Sequence, residues 1–175
     1  MTTDPRFPAG KFHAPDSYTD ASRAAAVAAI AALPANVRKA VSGLSDTQLD
    51  TPYRDGGWTV RQVVHHLADS HANAYIRMKF ARTEDKPTVK PYDEAVWAEL
   101  PDAKTGDVEW SLSILDGMHA RWSTLLRSFS AAEFARVWVH PEYGERNLDW
   151  MTEIYAWHSR HHTAHITELR KKKDW

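Results

Sequence analysis

The chain has 175 residues, a formal net charge of −1 at pH 7 and no cysteine. The lack of cysteine excludes disulfides, thiolate-bound zinc, iron–sulfur clusters and a cysteine nucleophile. The balanced charge gives no electrostatic reason to expect a nucleic-acid or membrane partner. The length suits a single domain over residues 1–175. The sequence shows no signal-peptide core and no apolar stretch of membrane-spanning length, so we expect a soluble cytoplasmic protein.

The first part of the chain predicts an arm and a helix. Residues 1–18 contain three prolines and no periodicity, so they should lie as an extended arm over the fold. From Asp20, a candidate N-cap, apolar residues recur at helical spacing as far as Gly43. Pro34 lies inside this pattern and should kink or break the helix near Leu33.

A second long helix follows a short helical turn at 45–52 and a tight turn at 53–57. It should begin at Thr59, because Gln62 three residues later completes a capping box, and it should continue to about Arg82. The remaining predicted elements are, in order, a crossover excursion at 86–104 with a short helix at 93–100, a third long helix at 107–129, a helical turn at 131–135, hairpin strands at 137–140 and 146–148, and a fourth long helix at 148–172. Four long amphipathic helices and almost no strand indicate an all-α four-helix bundle with a long crossover and one small β-hairpin.

The last helix carries four histidines on one face. With His158 set at zero and about 100° per residue, His161 lies at about −60°, His165 at about −20° and His162 at about +40°. Apolar residues share this arc, so the imidazoles should turn toward the core. Burying one polar ring without a partner costs about 1–3 kcal/mol, and a metal ion could serve as partner to several rings at once. The face is therefore predicted to form one wall of a metal site.

Two histidine pairs on this helix have the spacing of metal ligands. His161 and His165 are four residues apart, and so are His158 and His162. A spacing of four stacks two side chains on a helix, so either pair could bind one ion. The spacing alone does not choose between them.

A third ligand should come from the second long helix, which offers His65, His66 and His71. By helical angle, His71 points most directly into the apolar stripe, His66 lies at its polar margin and His65 faces away. Periodicity therefore ranks His71 first.

The chain resembles the DinB-like superfamily, in particular its YfiT-type branch, over nearly its whole length. The stretches that carry the resemblance are 49–58, 59–71, 91–94 and 161–169. In that family the first ligand precedes a Leu-Ala pair, which here is His66. The other two ligands correspond to His161 and His165. The resemblance thus implies a site of His66, His161 and His165, and it overrules the periodicity ranking of His71.

This resemblance also implies a function. Three imidazoles leave positions open on a divalent ion, as catalytic sites require. Zinc is the expected ion, with nickel and iron as alternatives. The expected activity is the activation of a small-molecule thiol such as bacillithiol, as co-substrate, for S-transfer to an electrophile. A metal-dependent hydrolase acting on a small molecule is the alternative, a non-catalytic metal-binding bundle is the weaker one, and a homodimer is expected.

Further residues are assigned supporting roles. His71, His158 and His162 are expected to lie beside the metal, and Asp69 and Glu168 could orient ligand imidazoles. The pocket residues implied by the resemblance are Tyr53, Arg54, Trp58 and Tyr92. The histidines expected to be structural or at the surface are His13, His119 and His140.

Overall fold

Four long helices form the body of the protein, whose computed structural model describes residues 4–175. The helices are α1 (Asp20–Val41), α2 (Asp46–Leu49), α3 (Val60–Thr83), α4 (Glu94–Ala98), α5 (Pro101–Thr105), α6 (Val108–Arg127), α7 (Ala131–Phe134) and α8 (Leu148–Lys173). The strands β1 (Val137–His140) and β2 (Gly144–Asn147) pair in antiparallel register between α7 and α8.

The long helices pack as a bundle in which α1 and α3 each contact both α6 and α8. The first two long helices of the chain therefore stand at opposite corners, with the last two between them. Apolar residues such as Ile30, Leu67, Leu115 and Ile166 fill the interior and are almost fully buried. The predicted all-α four-helix bundle is confirmed.

Pro34 does not break the first helix, contrary to the sequence prediction. Helix α1 continues from Asp20 to Val41 with Pro34 inside it. Proline has no N–H, so the carbonyl of Ile30 four residues earlier loses its helical partner. His119 on α6 supplies the replacement, because its Nδ1 lies 2.7 Å from that carbonyl oxygen and donates to it. His119 is thus structural, as expected.

Two other predicted boundaries are corrected at helix starts. The N-cap of α1 is Thr19, whose hydroxyl accepts from the Ser22 amide, so Asp20 is the first helical residue. Strand β2 covers 144–147 instead of 146–148, because the Asn147 side chain caps α8 by accepting from the Trp150 amide at 2.9 Å. The capping box of Thr59 is confirmed.

The predicted excursion packs along α3. The Gln62 side chain donates to the Ala98 carbonyl at 2.8 Å, and Arg61 donates to the Gly106 carbonyl at 2.9 Å. At its start, the excursion is tied to the hairpin, because the Val89 amide donates to the Val139 carbonyl at 2.9 Å. These bonds hold the excursion along α3 and join its start to the hairpin.

The N-terminal arm, residues 4–18, lies over α8 as predicted; residues 1–3 of the prediction fall outside the described part. Phe12 packs edge-on against Trp150, with ring centroids 5.7 Å apart. The indole N–H of Trp157 donates to the Gly10 carbonyl at 3.0 Å. Aromatic packing and one main-chain bond thus fix the arm on the exposed side of α8.

Helix α1 is long and apolar enough, by length and composition alone, to cross a membrane. This finding differs from the sequence expectation that no such stretch exists. The apolar residues of α1 form part of the bundle core, and Arg23 pairs with the buried Asp149 of α8 at 2.8 and 2.9 Å. Its apolar character is therefore accounted for by packing in this fold.

We predict that His119 and Pro34 are energetically coupled. Replacing His119 by Leu leaves the Ile30 carbonyl buried without a donor, which should lower the free energy of unfolding by about 2 kcal/mol. In a Pro34→Ala background the new amide can donate to that carbonyl, so the same replacement should cost less. Urea denaturation of the four proteins of this double-mutant cycle measures the coupling. Equal costs in both backgrounds would contradict the proposed compensation.

Candidate metal centre

A cavity of about 940 Å³ lies between α3 and α8, and residues of the excursion and the hairpin also line it. The arm contributes Arg6 to its wall. The four pocket residues implied by the resemblance all line the cavity, and they are Tyr53, Arg54, Trp58 and Tyr92. The excursion and the loop before α3 therefore form walls of a site, which explains their length.

Three imidazoles from two helices converge in this cavity. His66 projects from α3, and His158 and His162 project from successive turns of α8. One nitrogen of each ring lies within 4.8 Å of the others. The two Nε2 atoms of His66 and His158 are 3.3 Å apart. Nitrogens bound to one tetrahedral zinc ion at about 2.0–2.1 Å are separated by about 3.3 Å, so this pair fits a metal. We call His66, His158 and His162 the histidine cluster.

Burial keeps the cluster neutral. Removal from water lowers the pKa of His66 to about 3, with the charges of His165 and His161 adding to the effect. Burial also lowers the pKa of His158 and His162 well below the ordinary value. Neutral imidazoles carry the free lone pairs that a metal requires. The cluster is therefore ready to bind a cation near pH 7.

His161 and His165, the α8 pair that the resemblance implies, line the same cavity as His66. His161 stacks on Trp157, with ring centroids 4.4 Å apart. His165 stacks on Tyr53 at 4.0 Å. Among the described residues, the group with ligand spacing around His66 contains the other α8 pair. The ligand pair implied by the resemblance therefore stays a prediction.

The two α8 pairs occupy neighbouring faces of the helix. The midpoints of the two pairs differ by about 60° on a helical wheel. Met151 and Leu169 both fall at about +20°, at the midpoint of His158 and His162, and both are buried. Ile154 falls at about −40°, the midpoint of the other pair, and is only half-buried. The face of His158 and His162 therefore turns further into the core, and that of His161 and His165 lies nearer the arm.

His71 is close to the cluster but outside it. Its side chain is fully buried, and its Nε2 lies 3.0 Å from Nδ1 of His158. On its other side it stacks on His119, with ring centroids 4.9 Å apart. The periodicity argument correctly placed His71 in the core, but the α3 member of the cluster is His66, which faces α8.

Glu168 and Asp69, the two carboxylates expected to orient ligands, make other contacts in the structure. Glu168 is exposed and accepts from Lys171 at 2.7 Å. Asp69 lies on α3, and burial, with a smaller effect from Asp102, raises the pKa of its carboxyl to about 6. The hydrogen bond that the structure describes for Asp69 uses its main-chain carbonyl. Neither carboxylate therefore orients a histidine of the cluster.

Two further cavity residues were not recognised from the sequence. His140 on β1 is buried and faces the cavity, although it was expected to be structural or at the surface. Burial lowers the pKa of His140, and the charge of Arg77 adds to the effect. Arg77 itself lines the cavity from α3 and donates to the Lys90 carbonyl. Only the tertiary fold brings these two residues to the same cavity.

Comparison with known proteins identifies close relatives. A family model described as the DinB superfamily matches residues 17–166. A candidate metal-dependent hydrolase of Geobacillus kaustophilus is 52% identical over 99% of each chain. YfiT of Bacillus subtilis, also named as a candidate metal-dependent hydrolase, is 46% identical over 97% of this chain and 96% of its own.

Two solved structures share the fold. The structure of Bacillus subtilis YfiT, described as having an unusual four-helix bundle topology, superposes with a TM-score of 0.96 at 45% identity and covers 99% of both chains. TT2238, a four-helix bundle protein, superposes with a TM-score of 0.56 at 19% identity over 87% of this chain and 99% of its own. The second likeness supports the fold alone.

We predict that the metal-free protein loses stability in acid. The pKa values of His66, His119, His161 and His165 are lowered to about 3–4 in the folded chain, from 6.5. As the pH falls below 6.5 the unfolded chain takes up protons first, so the free energy of unfolding should decrease down to about pH 4 and stay level above 6.5. Urea denaturation with a chelator at pH 7.5, 6.5, 5.5 and 4.5 measures this slope. A flat profile would contradict the role of burial.

Proposed function

The chain belongs to the DinB superfamily, and from that premise we propose that it is a metal-dependent enzyme whose ion is held by His66 and two histidines of α8. The resemblance implies His161 and His165 as this pair, and the alternative is His158 with His162. The observation that carries the proposal is the convergence of His66 and the α8 imidazoles on one cavity, where a nitrogen of His66 lies within 4.8 Å of nitrogens of His158 and His162. Zinc is the proposed ion, and nickel and iron are alternatives because imidazole suits all three. Three protein ligands leave a position for a reactant, as in catalytic sites.

Hydrolysis is the first candidate reaction. A bound divalent ion supplies Lewis acidity, which polarises a substrate carbonyl and makes water more acidic. Trp58 packs against His66 at 4.6 Å between ring centroids and shields the cluster from bulk water. The cavity beside the cluster provides the substrate volume. The description of the near-full-length relatives as candidate metal-dependent hydrolases supports this assignment.

Thiol S-transfer is the second candidate, and the size of the cavity favours it. About 940 Å³ is near the upper end of ordinary ligand pockets and can take two reactants at once. The chain has no cysteine, so the thiol must be a co-substrate such as bacillithiol. Its thiolate sulfur would form a bond to the electrophilic carbon, and the leaving group would depart with the bonding electrons. A non-catalytic metal-binding bundle is the weakest candidate, because the open cavity would then have no use.

A homodimer and a cytoplasmic location are also part of the proposal. Trp110 and Ile114 lie one turn apart on α6, and each exposes more than half of its surface. Neighbouring exposed apolar side chains are common where a second copy covers a surface. The proposed substrate is a small molecule, which is the class that such a cavity takes.

We predict that metal binding depends on His66 and on one of the two α8 pairs. Replacing His66 by Ala should remove the ion, because two imidazoles do not replace a three-ligand site, and full retention of the ion would refute the metal centre. Loss of the ion in His161→Ala and His165→Ala, with about one ion per chain kept in His158→Ala, assigns the pair that the resemblance implies. The reverse pattern assigns His158 and His162. Elemental analysis of protein purified with a trace-metal buffer gives the stoichiometry.

We further predict that the two reactions can be separated by substrate. The metal-loaded protein should cleave activated esters faster than the chelator-treated protein, with a rate at least tenfold lower in His66→Ala. In parallel, monochlorobimane is offered with bacillithiol, mycothiol, glutathione or no thiol. Conjugation that depends on both metal and thiol, without ester cleavage, would replace hydrolysis by S-transfer. Neither activity with any substrate tried would favour the non-catalytic bundle.

A further inference from the structure

The loop before α3 brings a guanidinium to the imidazole side of the cavity, where His66 and His165 lie. In this loop Tyr53 stacks on His165 and Trp58 packs against His66, with ring centroids 4.0 and 4.6 Å apart. Arg54 also lines the cavity, and its guanidinium carbon lies 5.4 Å from the centroid of the Tyr53 ring. Arg54 is therefore held next to the imidazoles.

The position of Arg54 is fixed by its own loop. The Gly57 amide donates to the Arg54 carbonyl at 3.0 Å, and a Cβ atom at position 57 would lie only 2.8 Å from Cγ of Arg54. Nη1 of Arg54 donates to the Asp55 carbonyl at 2.9 Å. The main chain thus holds one end of the guanidinium and leaves its other N–H groups for a different partner.

The opposite edge of this guanidinium has no partner. Within the described part of the chain, Nε and Nη2 of Arg54 make no hydrogen bond, and Nε is shielded from water. A buried N–H of a charged group is costly to leave without an acceptor. Arg23 shows what this edge can bind, because its Nε and Nη2 donate to the two carboxylate oxygens of Asp149 at 2.8 and 2.9 Å. The free edge of Arg54 has the same donors and therefore matches a carboxylate.

The charge of Arg54 is also unbalanced. The ion pairs formed among residues 4–175 do not include it. Burial lowers the pKa of His165 to about 4, and the charges of His161 and Arg54 add to this effect without opposition from a carboxylate. The carboxylates of the cavity wall belong to the excursion and the hairpin, and they are Asp93, Glu94 and Glu142. A divalent ion among neutral imidazoles would add two positive charges beside Arg54, so this side of the cavity favours an anionic ligand.

We propose that Arg54 is a specificity-determining residue, which binds a carboxylate of the small-molecule substrate while the reacting group of the same molecule faces the imidazoles. The inference rests on the proposed function and deepens it by naming a class of substrate, namely molecules that carry a carboxylate besides their reactive group. The planar fork of arginine binds both oxygens of a carboxylate, whereas lysine offers a single point of charge. Two parallel hydrogen bonds fix the direction of the substrate as well as its position.

Two esters that differ by one carboxylate test the proposal. Mono-p-nitrophenyl succinate carries the carboxylate, and p-nitrophenyl butyrate has a methyl group in its place. In Arg54→Gln, the ratio of kcat/KM for the first ester to kcat/KM for the second should fall about 10–100-fold, mainly through a higher KM for the succinate ester. The ratio in Arg54→Lys should lie between those of the wild type and Arg54→Gln. Lys11→Gln removes an equal charge from an exposed position on the arm, so it should keep the wild-type ratio.

Equilibrium binding separates this inference from the proposed function. Succinate and the neutral succinamide are titrated into metal-loaded and chelator-treated protein by calorimetry, and the metal content of each variant is measured alongside. The wild type should bind succinate more tightly than succinamide in both forms. Arg54→Gln should lose the preference that the metal-free wild type shows.

The outcomes fall into distinct groups. If neither ester is cleaved, the proposed hydrolysis fails, and the preference for succinate alone decides the role of Arg54. An unchanged ester ratio in Arg54→Gln overturns the inference, and so does a wild type that binds succinate and succinamide equally. If Arg54→Gln loses its metal or does not fold, Arg54→Lys decides by the same measurements.

Discussion

The contact between two neutral imidazole nitrogens, Nε2 of His66 and Nε2 of His158, is the constraint on which the site depends. At 3.3 Å one neutral ring can donate its N–H to the lone pair of the other, or both lone pairs can face one cation. Burial lowers the pKa of both rings, so neither ring carries a second proton. A shared metal ion would use both lone pairs without charging either ring, and a nitrogen of His162 lies within 4.8 Å of both.

A chain of contacts between buried polar groups connects the core of the bundle to this pair of histidines. Pro34 exposes the Ile30 carbonyl in α1, and His119 pairs with it from α6. His119 stacks on His71, which contacts His158. A packing solution in the core is thus continuous with the proposed site. Because protein interiors are close-packed, the position of His119 restricts the positions of His71 and His158.

The segments outside the four long helices give the bundle its chemical character. The excursion brings Tyr92 to the cavity, the hairpin brings His140, and the arm brings the Arg6 carbonyl. Folds of this class serve many purposes, so the function is argued from the site and not from the bundle. The near-identical fold of YfiT and the description of the close relatives as candidate metal-dependent hydrolases point in the same direction as the histidine cluster.

Local sequence patterns determined the helices, their caps and the presence of a histidine-rich face, because helical periodicity and capping depend on residues within one or two turns. The sequence also predicted His66 and the pocket residues Tyr53 and Trp58 through a family resemblance. It did not determine which α8 pair meets His66, since the two alternatives differ by a rotation of about 60° that no intrahelical spacing distinguishes. Nor did it show that Pro34 would be tolerated, because its compensation comes from another helix. Only the packing of α8 against α3 brings the α8 imidazoles to the cavity that His66 lines, because contacts between distant segments depend on the whole fold and not on local spacing.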